Sequence, residues 1–197
     1  MNITDFKANL AGGGARGNHF SVMLTMPPWV NNGLAIEASR EAQFLCHGAS
    51  LPASTLSDVE VGFRGRIVHV AGERTFEPWV VQIYNDTSFN IRDNIESWIE
   101  GISNTTQTNG IINPSAYQSQ MQVYQYDRNG AVIKEYNFVN AYPTSIGEIE
   151  LSYENSNQIE TFSVNFTYDF WTTNTTAGHS GFSINTSIQT PFGVVNL

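Results

Sequence analysis

Along "TFSVNFTYDF" apolar and polar residues alternate without interruption. Phe162, Val164, Phe166, Tyr168 and Phe170 fall on one side, and Thr161, Ser163, Asn165, Thr167 and Asp169 on the other. A period of two places one face of a strand in a core and the other toward water. The same period predicts a strand at "HFSVMLTM" (Phe20, Val22, Leu24, Met26) and another at "WVVQIY", where Trp79, Val81 and Ile83 share a face. Pro78 lacks an amide donor and so marks the beginning of the latter strand, an edge or a bulge. Further strands are expected in "EAQFLCHGASLP", up to Gly48, and in "RIVHVAG", which Gly72 is expected to end in a turn. "YQSQMQVYQYDRNGAVIKEYNFVNAYPTS" reads as a hairpin turning at Asn129-Gly130. "IGEIELSYE" reads as a strand paired with the one first described, turning through Glu154 to Asn157.

The period changes once. In "SFNIRDNIESWIEGI", Ile91, Ile95, Trp98, Ile99 and Ile102 make the apolar stripe of an amphipathic helix. Asp86 or Ser88 is placed to cap its start, and Gly101 lies near its end. Between Ala49 and Gly65 no period is sustained, and the segment reads as a long excursion of the kind that often carries function. The tally is seven or eight strands and one helix: a mainly β fold, either a β-sandwich or a split, half-open β-barrel, with one flanking α-helix. The predicted organisation is a flexible lead-in over 1–18, a β domain over 19–171 and an extension over 172–197, with a weak strand from Phe182 to Ile188. The predicted core includes Trp79, Val81, Ile83, Trp98, Phe162 and Phe166.

Composition agrees. Of 197 residues only 14% are charged, and the polar remainder is Asn, Ser and Thr, which suit turns and the wet faces of strands. The net charge of −9 argues against a protein that grips nucleic acid, since phosphates must be neutralised by Lys and Arg. From Glu135 onward come Glu148, Glu150, Glu154, Glu160 and Asp169 with no Lys or Arg, while arginines gather at Arg64, Arg66 and Arg74. Cys46 is the only cysteine, so no internal disulfide forms; it is expected to be buried. The N-terminus lacks a basic run followed by an apolar one, and no apolar stretch reaches the roughly 18 residues of a membrane helix. The expectation is a soluble protein made in a cytoplasm.

No catalytic motif is assembled. Gly12, Gly14 and Gly17 match a dinucleotide fingerprint in spacing but precede a strand, where the motif needs a helix. His19, His47, His69 and His179 are scattered singly, without a paired metal spacing. Glu148 and Glu150 lie on one side of a single strand and do not straddle a substrate as catalytic acids must. No enzyme activity, cofactor, metal or small-molecule ligand is expected. Like charges along one strand repel, so this row is either an ordinary solvated face or a deliberately negative surface.

Two stretches carry a family resemblance. "VAGERTFEPWVVQIYND" (Val70 to Asp86) is similar to a Val-Ala-Gly-acid-Arg-Thr-Phe core with a tryptophan strand ending in Asn-Asp. "YPTSIGEIELSYENSNQIETFSVNFTYDFW" (Tyr142 to Trp171) is similar to a second motif with an aromatic-Pro-Thr, a Gly-Glu pair and an Ile-x-Thr-Phe-x-Val closing strand. Together they resemble the tail tube protein of contractile-tailed bacteriophages over about Phe20 to Trp171. The Gly-rich start, the "MPPWVNNGLAIEASRE" stretch and the residues after Trp171 exceed that pattern.

The resemblance implies a ring-forming fold that assembles as hexameric rings stacked into a tube for DNA ejection. The virion partners it implies are sheath, baseplate, tape-measure and tail-terminator proteins, with assembly in the host bacterial cytoplasm. DNA would pass without specific binding. It also implies that Asp58, Glu60, Arg64 and Arg66 belong to an inter-ring loop, and that Glu148, Glu150 and Glu154 face the lumen. The type VI secretion ring protein shares the fold and remains an alternative, as does a carbohydrate-binding or adhesin sandwich.

Overall fold

The structure, a computed structural model, describes residues 2–9, 14–30, 35–106, 109–153, 157–174, 187–190 and 193–196. Its centre is a seven-stranded antiparallel arrangement in the order β1-β6-β7-β8-β5-β2, with β9 added to β7. The strands are β1 (Phe20–Leu24), β2 (Cys46–Ala49), β5 (Trp79–Tyr84), β6 (Ser119–Tyr126), β7 (Val132–Ile146), β8 (Thr161–Thr167) and β9 (Phe170–Thr173). A separate two-stranded ribbon is built from β3 (Ser54–Phe63) and β4 (Arg66–Phe76).

β7 makes two layers out of one path. Its first part pairs with β6 and β9, and its end pairs with β8. The change of partner falls between Ala141 and Tyr142, just after Asn140, whose φ of 58° is a left-handed conformation that Asn tolerates better than most residues. Its side chain donates to Asp169 Oδ2 at 2.6 Å, and Asp169 N–H donates to the Val139 carbonyl at 3.1 Å. Across the bend the layers face each other through aromatic rings. Trp79 of one stacks on Phe138 of the other at 4.3 Å, and Phe138 meets Tyr168 edge-on at 4.9 Å.

The core follows the alternation in the chain. Val22, Leu24, Met121, Val123 and Phe138 are buried from one layer; Trp79, Val81, Ile83, Phe162, Val164 and Phe166 from the other. Cross-strand register aligns them: Trp79 lies opposite Phe166, Val81 opposite Val164, and Ile83 opposite Phe162. Phe170 departs from the expected face. It starts β9 beyond the bend and is exposed.

Helix α3 (Asn90–Ile102) buries Ile91, Ile95 and Trp98, and the Trp98 indole donates to the Tyr117 carbonyl at 2.8 Å. The expected cap is absent. Phe89, at φ 55°, occupies the N-cap without a side-chain bond, while the Asp86 carboxylate accepts from the Ser88 N–H and hydroxyl in the preceding turn. A second long helix, α2 (Ala35–Leu45), replaces most of the strand expected in "EAQFLCHGASLP", of which only Cys46–Ala49 is extended. Its buried stripe is Ala35, Ala38 and Ala42, small enough for close packing on β1 and α3 but too weakly apolar to announce a helix. A single turn, α4 (Pro114–Tyr117), is capped by Asn113, whose side chain accepts from Ser115 N–H.

At the N-terminus, Ile3–Asn9 forms the short helix α1, with no buried residue, inside the segment expected to be flexible. At the C-terminus, β10 (Ser187–Thr190) pairs with β11 (Gly193–Asn196). Residues 182–186 of the expected Phe182 to Ile188 strand lie outside the described residues.

Candidate assembly interface

The segment that looked aperiodic is the most regular exposed element of the molecule. β3 and β4 pair from Ser54↔Phe76 to Phe63↔Arg66. The chain reverses at Arg64-Gly65, whose φ values of 48° and 80° suit a two-residue hairpin turn. Gly72 is therefore no turn; it lies inside β4, at a register shift opposite Ser57. A Cβ there would collide with the Ser57 hydroxyl, which donates to the Glu73 carbonyl at 3.0 Å. The glycine is needed for close approach at the bulge.

Directly opposed residues on two strands point to the same side. The register thus gives the ribbon two unlike faces beyond the bulge. Val59, Val61 and Phe63 oppose Val70, Val68 and Arg66, making an apolar face closed at the tip by a cation. Asp58, Glu60 and Gly62 oppose Ala71, His69 and Ile67, making a more polar one. On the polar face His69 Nδ1 lies 2.5 Å from Asp58 Oδ2, and ligand atoms of Asp58, Glu60 and His69 fall within 4.8 Å of one another. Sequence spacing could not show this grouping, because only the hairpin register joins His69 to the two acids.

All ten residues of β3 are exposed, Phe63 by 62%. A two-stranded hairpin with an uncovered apolar face is marginal by itself. Its base is well held. The Trp79 indole donates to the Ser50 carbonyl at 2.8 Å, the Tyr168 hydroxyl donates to the Glu77 carbonyl at 2.8 Å, and Phe76 packs near Tyr168 and Trp171. The ribbon is a projecting arm on a fixed root.

The acidic segment differs from expectation. β7 ends at Ile146, and after it no strand forms over 147–153. Gly147 N–H still donates to the Ser163 carbonyl at 2.7 Å, and Arg92 on α3 donates to the Gly147 carbonyl at 3.2 Å. Beyond that anchor the ladder stops. Glu148 and Glu150 are exposed, and Glu154 lies outside the described residues. Ile149 packs against the core, but Leu151 is 78% exposed and Tyr153 fully so. Of the alternating apolar residues in "IGEIELSYE" beyond β7, Ile149 alone packs against the core, and over 147–153 no strand forms.

Cys46 is buried, and burial pushes its thiol up to about 12, so it is unreactive at neutral pH.

Comparison with known proteins shows the family to which this arrangement belongs. A family model described as "Phage tail tube protein" matches residues 15–174. The chain belongs to the phage tail tube family. Tail tube protein gp19 of Enterobacteria phage T4 is 34% identical over 131 residues, covering 65% of this chain and 79% of that protein. The tail tube protein of Serratia phage KSP90 is 22% identical over 151 residues, 76% of this chain and 84% of the relative. Among solved structures, the tube-terminating cap of the anti-feeding prophage superposes with a TM-score of 0.58, covering 81% of this chain and 90% of the other. At 18% identity that likeness shows the shared fold. This tail tube chain is a structural component of a phage virion.

Proposed function

We propose that the chain polymerises as hexameric rings stacked into a tube, and that the tube conducts DNA into the host without catalysing any reaction. The observation that carries this reading is the ribbon: an arm with an exposed apolar face that none of the described residues covers. A tube subunit has a use for such an arm in reaching an adjacent ring. Family membership supports the same reading. Ring closure would also cover the outer edges of β1 and β2, which pair with no further strand among the described residues.

The net charge of −9 fits a conduit that does not retain a polyanion, because phosphates find few cations to bind. In the virion the tube would meet sheath, baseplate, tape-measure and terminator proteins, and assembly would take place in the host cytoplasm.

The test is assembly of the purified chain across a concentration series, read by sedimentation and negative-stain microscopy. Rings or hollow tubes are expected as concentration rises. A strictly monomeric species at every concentration, also with tail components added, would overturn the proposal.

A further inference from the structure

The register of the ribbon sets three metal-binding side chains on one of its faces. Asp58 and Glu60 stand two residues apart on β3 and so share a side, and Glu60 lies directly opposite His69 on β4. One ligand atom from each of the three falls within 4.8 Å of the other two, and His69 Nδ1 already lies 2.5 Å from Asp58 Oδ2. All three side chains are exposed and free to rotate. Small changes of rotamer bring such a trio to the distances of about 2.0–2.2 Å at which imidazole and carboxylate hold a common ion.

The surroundings leave the trio open. The other residues paired on this face past the bulge are Gly62, Ala71 and Ile67, so no Lys or Arg shares it. Among the described residues Glu60 makes no hydrogen bond or ion pair. Gly62 follows Glu60 along the face, and nothing lies within 4 Å of where its Cβ would stand. That space admits the waters that complete a coordination shell. Two carboxylates alone would be an acidic patch indifferent to the cation. The imidazole changes the chemistry, because a nitrogen ligand favours zinc, nickel or copper over magnesium and calcium.

We propose that Asp58, Glu60 and His69 bind one divalent transition-metal ion of the Zn2+ class, with water in the remaining positions. Each carboxylate supplies one oxygen and the imidazole one nitrogen, a three-ligand set that leaves the ion open to solvent. The ion ties β3 to β4 just past the bulge at Gly72, in a hairpin that is marginal by itself, and offsets the two carboxylate charges on its polar face. This site requires only the hairpin register and does not rest on the tube reading.

The experiment titrates Zn2+ into the full chain by calorimetry, at protein concentrations below assembly, with Mg2+ as the comparison ion. Saturable binding of one Zn2+ per chain is expected, with Mg2+ weaker by about a hundredfold or more. H69A, and separately D58N/E60Q, should each weaken Zn2+ binding about tenfold or more. Both should melt as the parent does, since all three positions are exposed. H19A, outside the ribbon, should bind as the parent does. An absence of saturable Zn2+ binding would overturn the site. Binding as tight in H69A as in the parent would overturn it too, by placing the ion elsewhere. So would Mg2+ binding as tightly as Zn2+, which would reduce the trio to a plain acidic patch.

Hydrogen exchange then locates the ion. With free Zn2+ at about a hundred times its Kd, exchange through opening of the ribbon should slow by up to about a hundredfold in β3 and β4 and stay unchanged in the two layers. Ribbon amides that exchange equally fast with and without Zn2+ would show that no ion joins the strands, and the proposal would fall.

Discussion

Trp79 shows how much one side chain organises here. Its ring is buried between Phe138 of one layer and Phe166 of its own, and its N–H reaches the Ser50 carbonyl at the root of the ribbon. Truncation leaves a cavity in both layers and an unpaired carbonyl at the arm's base. Trp79→Ala should cost about 3–5 kcal/mol, and Phe166→Ala a similar amount. Urea melts of the monomer would measure both, with loss of soluble yield preceding any assembly defect. A cost below about 1 kcal/mol for Trp79→Ala would contradict its place between the layers. Asn140 acts differently. It occupies a backbone region closed to most side chains and lets β7 serve two layers, a role no periodicity in "FVNAYP" reveals.

At the scale of elements, legibility depended on whether large apolar residues recur at the element's own period and are buried within the fold. β5 and β8 bury one face against neighbours in the fold, so their period of two translates directly into burial. Helix α3 was legible for the same reason, through large residues at helical spacing. Helix α2 was not. Its buried positions are alanines, while Ile36 and Phe44 point outward and invert the pattern. The ribbon hid its period behind Gly62, the bulge at Gly72 and a turn without Asn-Gly, although Val59, Val61 and Phe63 do alternate. The 147–153 segment failed in the opposite sense, carrying a period of two of which only Ile149 is used against the core while Leu151 and Tyr153 are exposed. Residue spacing likewise gave no hint that His69 meets Asp58 and Glu60.

The ribbon also sets how its function should be tested. Removing only Ala49 to Gly65, the segment that seemed a loop, would leave β4 unpaired with its valines exposed. The informative deletion replaces residues 55–75 with a short Gly-Ser linker. Since β3 and β4 pack chiefly on each other, the two layers should stay folded and melt as the full chain does. Tube growth should be abolished in electron micrographs. Normal elongation without the ribbon would show that the arm does not join copies.

For the whole molecule, these features describe a subunit incomplete by itself. Its core is closed and well packed, yet it projects an apolar arm from one end and an apolar, acidic segment from the other. The proposed tube would cover exposed apolar surface of this kind, and a net charge of −9 would suit the wall of a conduit that DNA passes without sticking. The most direct measurement is a cryo-EM reconstruction of the polymer formed by the unmodified chain. The account predicts six copies around an open bore, with the valine face of each ribbon buried against an adjacent copy. A closed assembly without a bore, or a tube in which the ribbons stand free in solvent, would contradict it.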